Sequence, residues 1–224
     1  MLRWVKYGAS ACANKAAAAV FLLGSTVFAQ AEPVDILALG DSLTAGYGLT
    51  DTEGFVPRMQ AWLDDQGVEA RLVNAGVSGD TTAGGLSRVA WSLTPEIDAI
   101  IVALGGNDLL RGLDPSVSRA NLDGILKVAQ ENNLDVLVIG MEAPGNYGPE
   151  YKAEFDAMYP ELADAYGALY FSRFFEGLYT VGSTPAELRA VMQSDGIHPN
   201  AEGVALIVDA MGPAVAELAM RASE

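Results

Sequence analysis

Residues 32–224 predict a three-layer α/β/α sandwich built on a mostly parallel, five-stranded sheet. Three observations lead there: five short apolar runs, helical apolar spacings between them, and the lack of any repeat, low-complexity tract or linker. In chain order the runs are "VDILAL" (34–39), "VEARLVN" (68–74), "DAIIVAL" (98–104), "DVLVIG" (135–140) and "ALYF" (168–171). Their near-continuous hydrophobicity is that of strands buried on both faces, as in a parallel sheet covered by helices. Between the first two, Phe55, Val56, Met59, Trp62 and Leu63 recur at helical spacing. Residues 117–130 and 151–166 also read as helices, and Val204, Ile207, Val208, Met211, Val215 and Leu218 form the apolar stripe of a last one. In such folds, ligands gather at the carboxyl ends of the strands.

The first 31 residues are of different material. Arg3, Lys6 and Lys15 precede the first acid, Glu32; an apolar run from Ala16 to Phe28 follows, then Ala29-Gln30-Ala31. Basic region, short apolar region and A-x-A site are the pattern of a secretory signal peptide. A membrane helix needs about 20 apolar residues, which this run does not reach. Residues 1–31 are therefore expected to be removed on export, and residues 32–224 to form a single periplasmic or secreted domain with no stable membrane anchor.

Loss of that segment removes three of the 13 basic residues and leaves all 29 acidic ones, a net charge of −19. Such a surface repels nucleic acid and anionic headgroups, so no nucleic-acid partner is expected. Cys12 is the only cysteine and lies in the same segment. The mature chain thus has no disulfide, no cysteine nucleophile and no cysteine-ligated zinc.

Polar residues collect where the fold rule places a site. Asp41 and Ser42 follow the first strand, "NAGVSGDTTAGG" (74–85) the second, and "GGNDLLRG" (105–112) the third. Each stretch alone reads more readily as an ordinary strand-to-helix turn than as a site; three in succession weaken that reading. His198, the only histidine, stands in "SDGIHPNAEG" (194–203) with Asp195 three residues ahead. A carboxylate so spaced can bond Nδ1–H and leave Nε2 free as a base, and a serine at a strand mouth would supply a nucleophile. There is no G-x-S-x-G elbow. Gly85 stands where a Walker loop requires lysine. Nothing in the spacing of Asp41, Asp80, Asp108 and Asp195 requires a metal, and no cofactor is expected.

"GDSL" (40–43), the glycine of "SGDT" (78–81), "GGND" (105–108) and "DGIHPN" (195–200) resemble, in order, the four blocks of the SGNH, or GDSL, hydrolases. "NAGVSGDTTAGGLSRV", "ALGGNDLLRGL" and "APGNYGPEYKAEFDAMYPELA" are similar to its bacterial periplasmic acyl-CoA thioesterase, arylesterase and lysophospholipase subgroup. The resemblance implies the flavodoxin-like fold of that family and a serine hydrolase that cleaves esters and thioesters through an acyl-enzyme, without metal or cofactor. It implies Ser42 as nucleophile, His198 as base and Asp195 as its orienting acid. The N–H groups of Ser42 and Gly79 and the amide of Asn107 would form the oxyanion hole. Leu109, Leu110, Arg111, Gly112 and Leu113 would line the acyl groove, while Asp41 and Asp108 would brace their loops. The expected partner is a small-molecule acyl ester or thioester, acted on by a monomer. Two other readings stand beside this one: a carbohydrate O-deacetylase of the same fold, and a non-catalytic periplasmic binding module.

Overall fold

The chain alternates strand and helix from Val34 onward, and every strand joins one sheet. A computed structural model describes Met1, Leu2, Trp4 and residues 33–182 and 184–224; the expected export signal lies almost wholly outside the described residues. The strands are β1 (Val34–Gly40), β2 (Ala70–Gly76), β3 (Ala99–Ala103), β4 (Asp135–Ile139) and β5 (Leu169–Phe171). They pair in the order β2-β1-β3-β4-β5, and all four pairings are parallel. The helices are α1 (Ser42–Ala45), α2 (Phe55–Asp65), α3 (Thr82–Ser92), α4 (Gly106–Leu110), α5 (Pro115–Glu131), α6 (Pro149–Tyr166), α7 (Pro185–Ala190) and α8 (Ala201–Ala222), with a 3₁₀ turn at Glu176–Val181. One layer holds α2 against α8, and the other α3, α5 and α6 in sequence.

Burial on both faces holds for the centre of the sheet. All seven residues of β1 and all five of β3 are buried, whereas the edge strands β2 and β5 are largely half-exposed. Strand β2 starts two residues later than its apolar run. The Val68 N–H is used to close the end of α2 on Leu63 O (2.9 Å), so the strand begins at Ala70. Two helices lie inside stretches that read as turns: residues 82–85 open α3, and "GNDLL" forms α4. In α8 the expected stripe packs inward. Among the described residues α8 is the one helix long and apolar enough to cross a membrane, and half of its most apolar stretch is buried in the fold.

Strand order reverses between β1 and β3, which leaves a crevice beyond their carboxyl ends. The segments 40–47, 76–80 and 104–110 open into it.

Candidate active site

Ser42 is the first residue of α1, directly after β1. Asp41 caps that helix by accepting the Leu43 N–H at 3.0 Å, so the hydroxyl is carried on a buried, hydrogen-bonded corner. His198 reaches it from the loop ahead of α8: Nε2 lies 2.8 Å from Ser42 Oγ, and Nδ1 lies 2.7 Å from Asp195 Oδ2. The other Asp195 oxygen accepts the N–H groups of Ile197 (2.9 Å) and His198 (3.0 Å). The bond from His198, seconded by those two backbone donors, lowers the Asp195 pKa to about 2, although the carboxyl is largely exposed. A hydroxyl, imidazole and carboxylate in this line let the imidazole take the hydroxyl proton while the carboxylate steadies the cation that forms. The ring of Tyr47 covers the imidazole, with centroids 4.6 Å apart.

Gly79 and Asn107 flank Ser42. The N–H groups of Ser42 and Gly79 donate to no acceptor among the described residues, and both residues line the same cavity. Gly79 takes φ +85°, a left-handed conformation that any side chain would strain. Asn107 turns one amide N–H to Asp41 Oδ2 at 3.2 Å, which fixes the plane of the amide and leaves its second N–H unspent. Burial raises the Asp41 pKa to about 6, against the opposing pull of Leu43 and Asn107.

A second layer holds these loops. Asp108 is fully buried and accepts from Thr82 N–H (2.8 Å), the Thr82 hydroxyl and the Ser118 hydroxyl (2.9 Å), which ties α4 to α3 and α5. Arg88 donates to Gly40 O (2.9 Å) and pairs with Asp80 (2.7 Å), joining the end of β1 to the loop of Gly79. Neither arginine, Arg88 nor Arg111, was legible as a brace. Arg111 donates to Gly79 O at 2.8 Å.

The cavity beside Ser42 has a volume of about 850 Å³ and runs from Tyr47 and His198 past Leu109 and Leu110 to Met141, Phe174 and Phe175. Leu109 and Leu110 line this cavity, whereas Arg111, Gly112 and Leu113 fall outside the lining. The short helix α4 turns them away. Gly112 abuts the Tyr147 ring, and the Leu113 N–H returns to Asp108 O at 3.0 Å. In their place the wall includes Glu142, which pairs with Lys152 (3.1 Å) and Arg173 (3.1 Å). These three come from separate segments, and no motif announces them. Among the described residues no group of three or more acids or histidines is placed to hold a metal ion.

The chain is similar to known proteins over most of its length. Residues 38–206 match the model of the GDSL-like lipase/acylhydrolase family. The chain is 39% identical over 171 residues to esterase TesA of Pseudomonas aeruginosa, covering 76% of this chain and 82% of that protein. It is 35% identical over 186 residues to thioesterase 1/protease 1/lysophospholipase L1 of Escherichia coli K12, covering 82% and 84% of the two. The crystal structure of AlinE4, an SGNH-hydrolase family esterase, superposes with a TM-score of 0.68 at 45% identity, over 84% of this chain and 97% of that one. With its five parallel strands and with the family match spanning most of its length, the chain belongs to the GDSL, or SGNH, lipase/acylhydrolase family.

Proposed function

We propose that this protein hydrolyses carboxylic esters and thioesters by a two-step acyl-enzyme pathway in which Ser42 is the nucleophile. The observation that carries the reading is the Asp195–His198–Ser42 line, with bonds of 2.7 and 2.8 Å. Ser42 Oγ attacks the acyl carbon while His198 Nε2 takes its proton, then returns it to the leaving alkoxide or thiolate. Water repeats the sequence on the acyl-enzyme. The tetrahedral oxyanion is held by the N–H groups of Ser42 and Gly79 and the free N–H of Asn107, three donors aimed before the charge appears. None of these steps calls on a metal or cofactor.

The wall of Leu109, Leu110, Met141 and Phe175 supports an acyl chain as the bound group in preference to an acetylated sugar, while the charged residues that also line the cavity, Glu142, Lys152 and Arg173, are paired with one another. A binding module has no use for a serine hydrogen-bonded to an oriented imidazole. Export fits the basic, apolar and A-x-A pattern of residues 1–31, with 32–224 acting as an unanchored monomer. Acyl-CoA is cytoplasmic, so an exported enzyme meets lysophospholipids or exogenous esters instead. The test is labelling with a fluorophosphonate, followed by peptide mapping. The expected adduct is on Ser42 alone; a protein that stays unlabelled, or carries the adduct elsewhere, contradicts the assignment.

A further inference from the structure

Ser42 and His198 are 156 residues apart, yet they meet at 2.8 Å. Their backbones are joined by a short chain of hydrogen bonds through Tyr47 and Gln193. The Tyr47 N–H donates to Ser42 O (3.1 Å), closing the turn after the serine. Gln193 Nε2 donates to Tyr47 O (2.8 Å) and also to Pro199 O (3.0 Å), the carbonyl next after His198. The backbone N–H of Gln193 donates to the His198 carbonyl itself at 2.7 Å. Two carbonyl acceptors leave no choice of amide orientation, since only the –NH₂ end can face them.

The Gln193 amide is seated as well as bonded. Its Oε1 fills the space beside Gly48, where a Cβ would stand 2.2 Å away, and Gly48 holds φ +74°. A larger residue at 48 would collide with the amide. The same Tyr47 whose carbonyl is held presents its ring to the imidazole. One side chain therefore sets the distance between the serine corner and the histidine loop, and sets the ring that covers the histidine.

We infer that Gln193 is a positioning residue, which registers Ser42 against His198 without touching the substrate. The inference rests on the reading of Ser42 and His198 as the reacting pair. A misplacement on the order of 1 Å at a reacting pair costs about 10²-fold in rate, and the cost falls on kcat because the acyl cavity does not include Gln193.

Two variants and two readouts test it. Gln193→Glu keeps the shape but sets a carboxylate against two carbonyl oxygens; Gln193→Ala removes the bonds altogether. Steady-state hydrolysis of p-nitrophenyl butyrate is measured beside the imidazole ¹⁵N spectrum, which in this chain comes from a single histidine. Both variants are expected to lose about 10²-fold in kcat, with KM within about twofold and a shifted Nε2 signal. Acidification, which restores one O–H donor, should return part of the rate to Gln193→Glu relative to the unsubstituted protein, and none to Gln193→Ala. Unchanged kcat with an unchanged Nε2 signal overturns the inference, as does a loss carried by KM. Failure of both variants to fold overturns it too, by making Gln193 a residue of stability alone. Hydrolysis that survives Ser42→Ala would instead remove the reading of the reacting pair, while the Nε2 signal would still report whether Gln193 registers the two loops.

Discussion

Asp41 stands immediately before Ser42, and its burial raises its pKa to about 6 from the usual 3.8. Between those values the folded protein binds a proton that the unfolded chain has released, so Asp41 lowers stability as pH rises through that window. Two pK units correspond to about 3 kcal/mol at most. The exposed Asp195 acts with the opposite sign, being lowered to about 2 by His198, and the stability it adds is lost only as pH falls below about 4. The buried carboxylate accepts from the Asn107 amide at 3.2 Å and so fixes its orientation. In Asp41→Asn the new amide competes with that of Asn107, which flips and withdraws its donor. The expected result is a kcat lower by about 10²–10³-fold with KM little changed. Urea denaturation of the variant between pH 4 and 6 should lack the decline that Asp41 contributes. A variant with full kcat would show that Asn107 is oriented by something else.

At the scale of elements, the short helix α4 is held by the buried Asp108, which receives three donors from α3 and α5. Asp108→Ala strands the Thr82 N–H and two hydroxyls in the interior, at roughly 1–3 kcal/mol for each unsatisfied group. A drop of about 3 kcal/mol or more in unfolding free energy is expected from urea titration; a loss under 1 kcal/mol would mean that the donors find other partners. Elements also mark where the sequence is hard to read. The central strands and the helices with apolar stripes are plain in it, because burial writes its period into the residues. Helix α3 is not, because it carries paired glycines, Gly84 and Gly85, in its first turn and buries only Thr82, Gly85 and Val89, too few to show a stripe. Helix α4 is hidden by its own motif, as "GGND" reads as a turn until Asp108 is seen to be buried. That turn also explains Arg111, Gly112 and Leu113, which adjacency to Leu110 places in the groove and α4 places outside it.

For the molecule as a whole, the sheet order puts the ends of β1, β2 and β3 side by side, so serine, glycine and asparagine from three distant motifs share one crevice. That convergence was legible, since each motif ends a recognisable strand. The supports were not: Gln193, Arg88 and Tyr47 act through partners distant in the chain, and no local spacing reports a contact across 146 residues. The cavity beside Ser42 was legible only in part. Leu109 and Leu110 follow their motif, whereas Met141, Phe174 and Phe175 reach it through the ends of β4 and β5.

On the proposed function, Ser42 cleaves acyl esters whose chain lies in that largely apolar cavity. Hydrolysis of p-nitrophenyl esters from acetate to palmitate, with Ser42→Ala alongside, tests it most directly. The expected rate rises to an optimum at six carbons or longer and is abolished by the substitution. Activity confined to acetate would contradict the acyl-chain assignment, and equal rates with and without the Ser42 hydroxyl would contradict the mechanism.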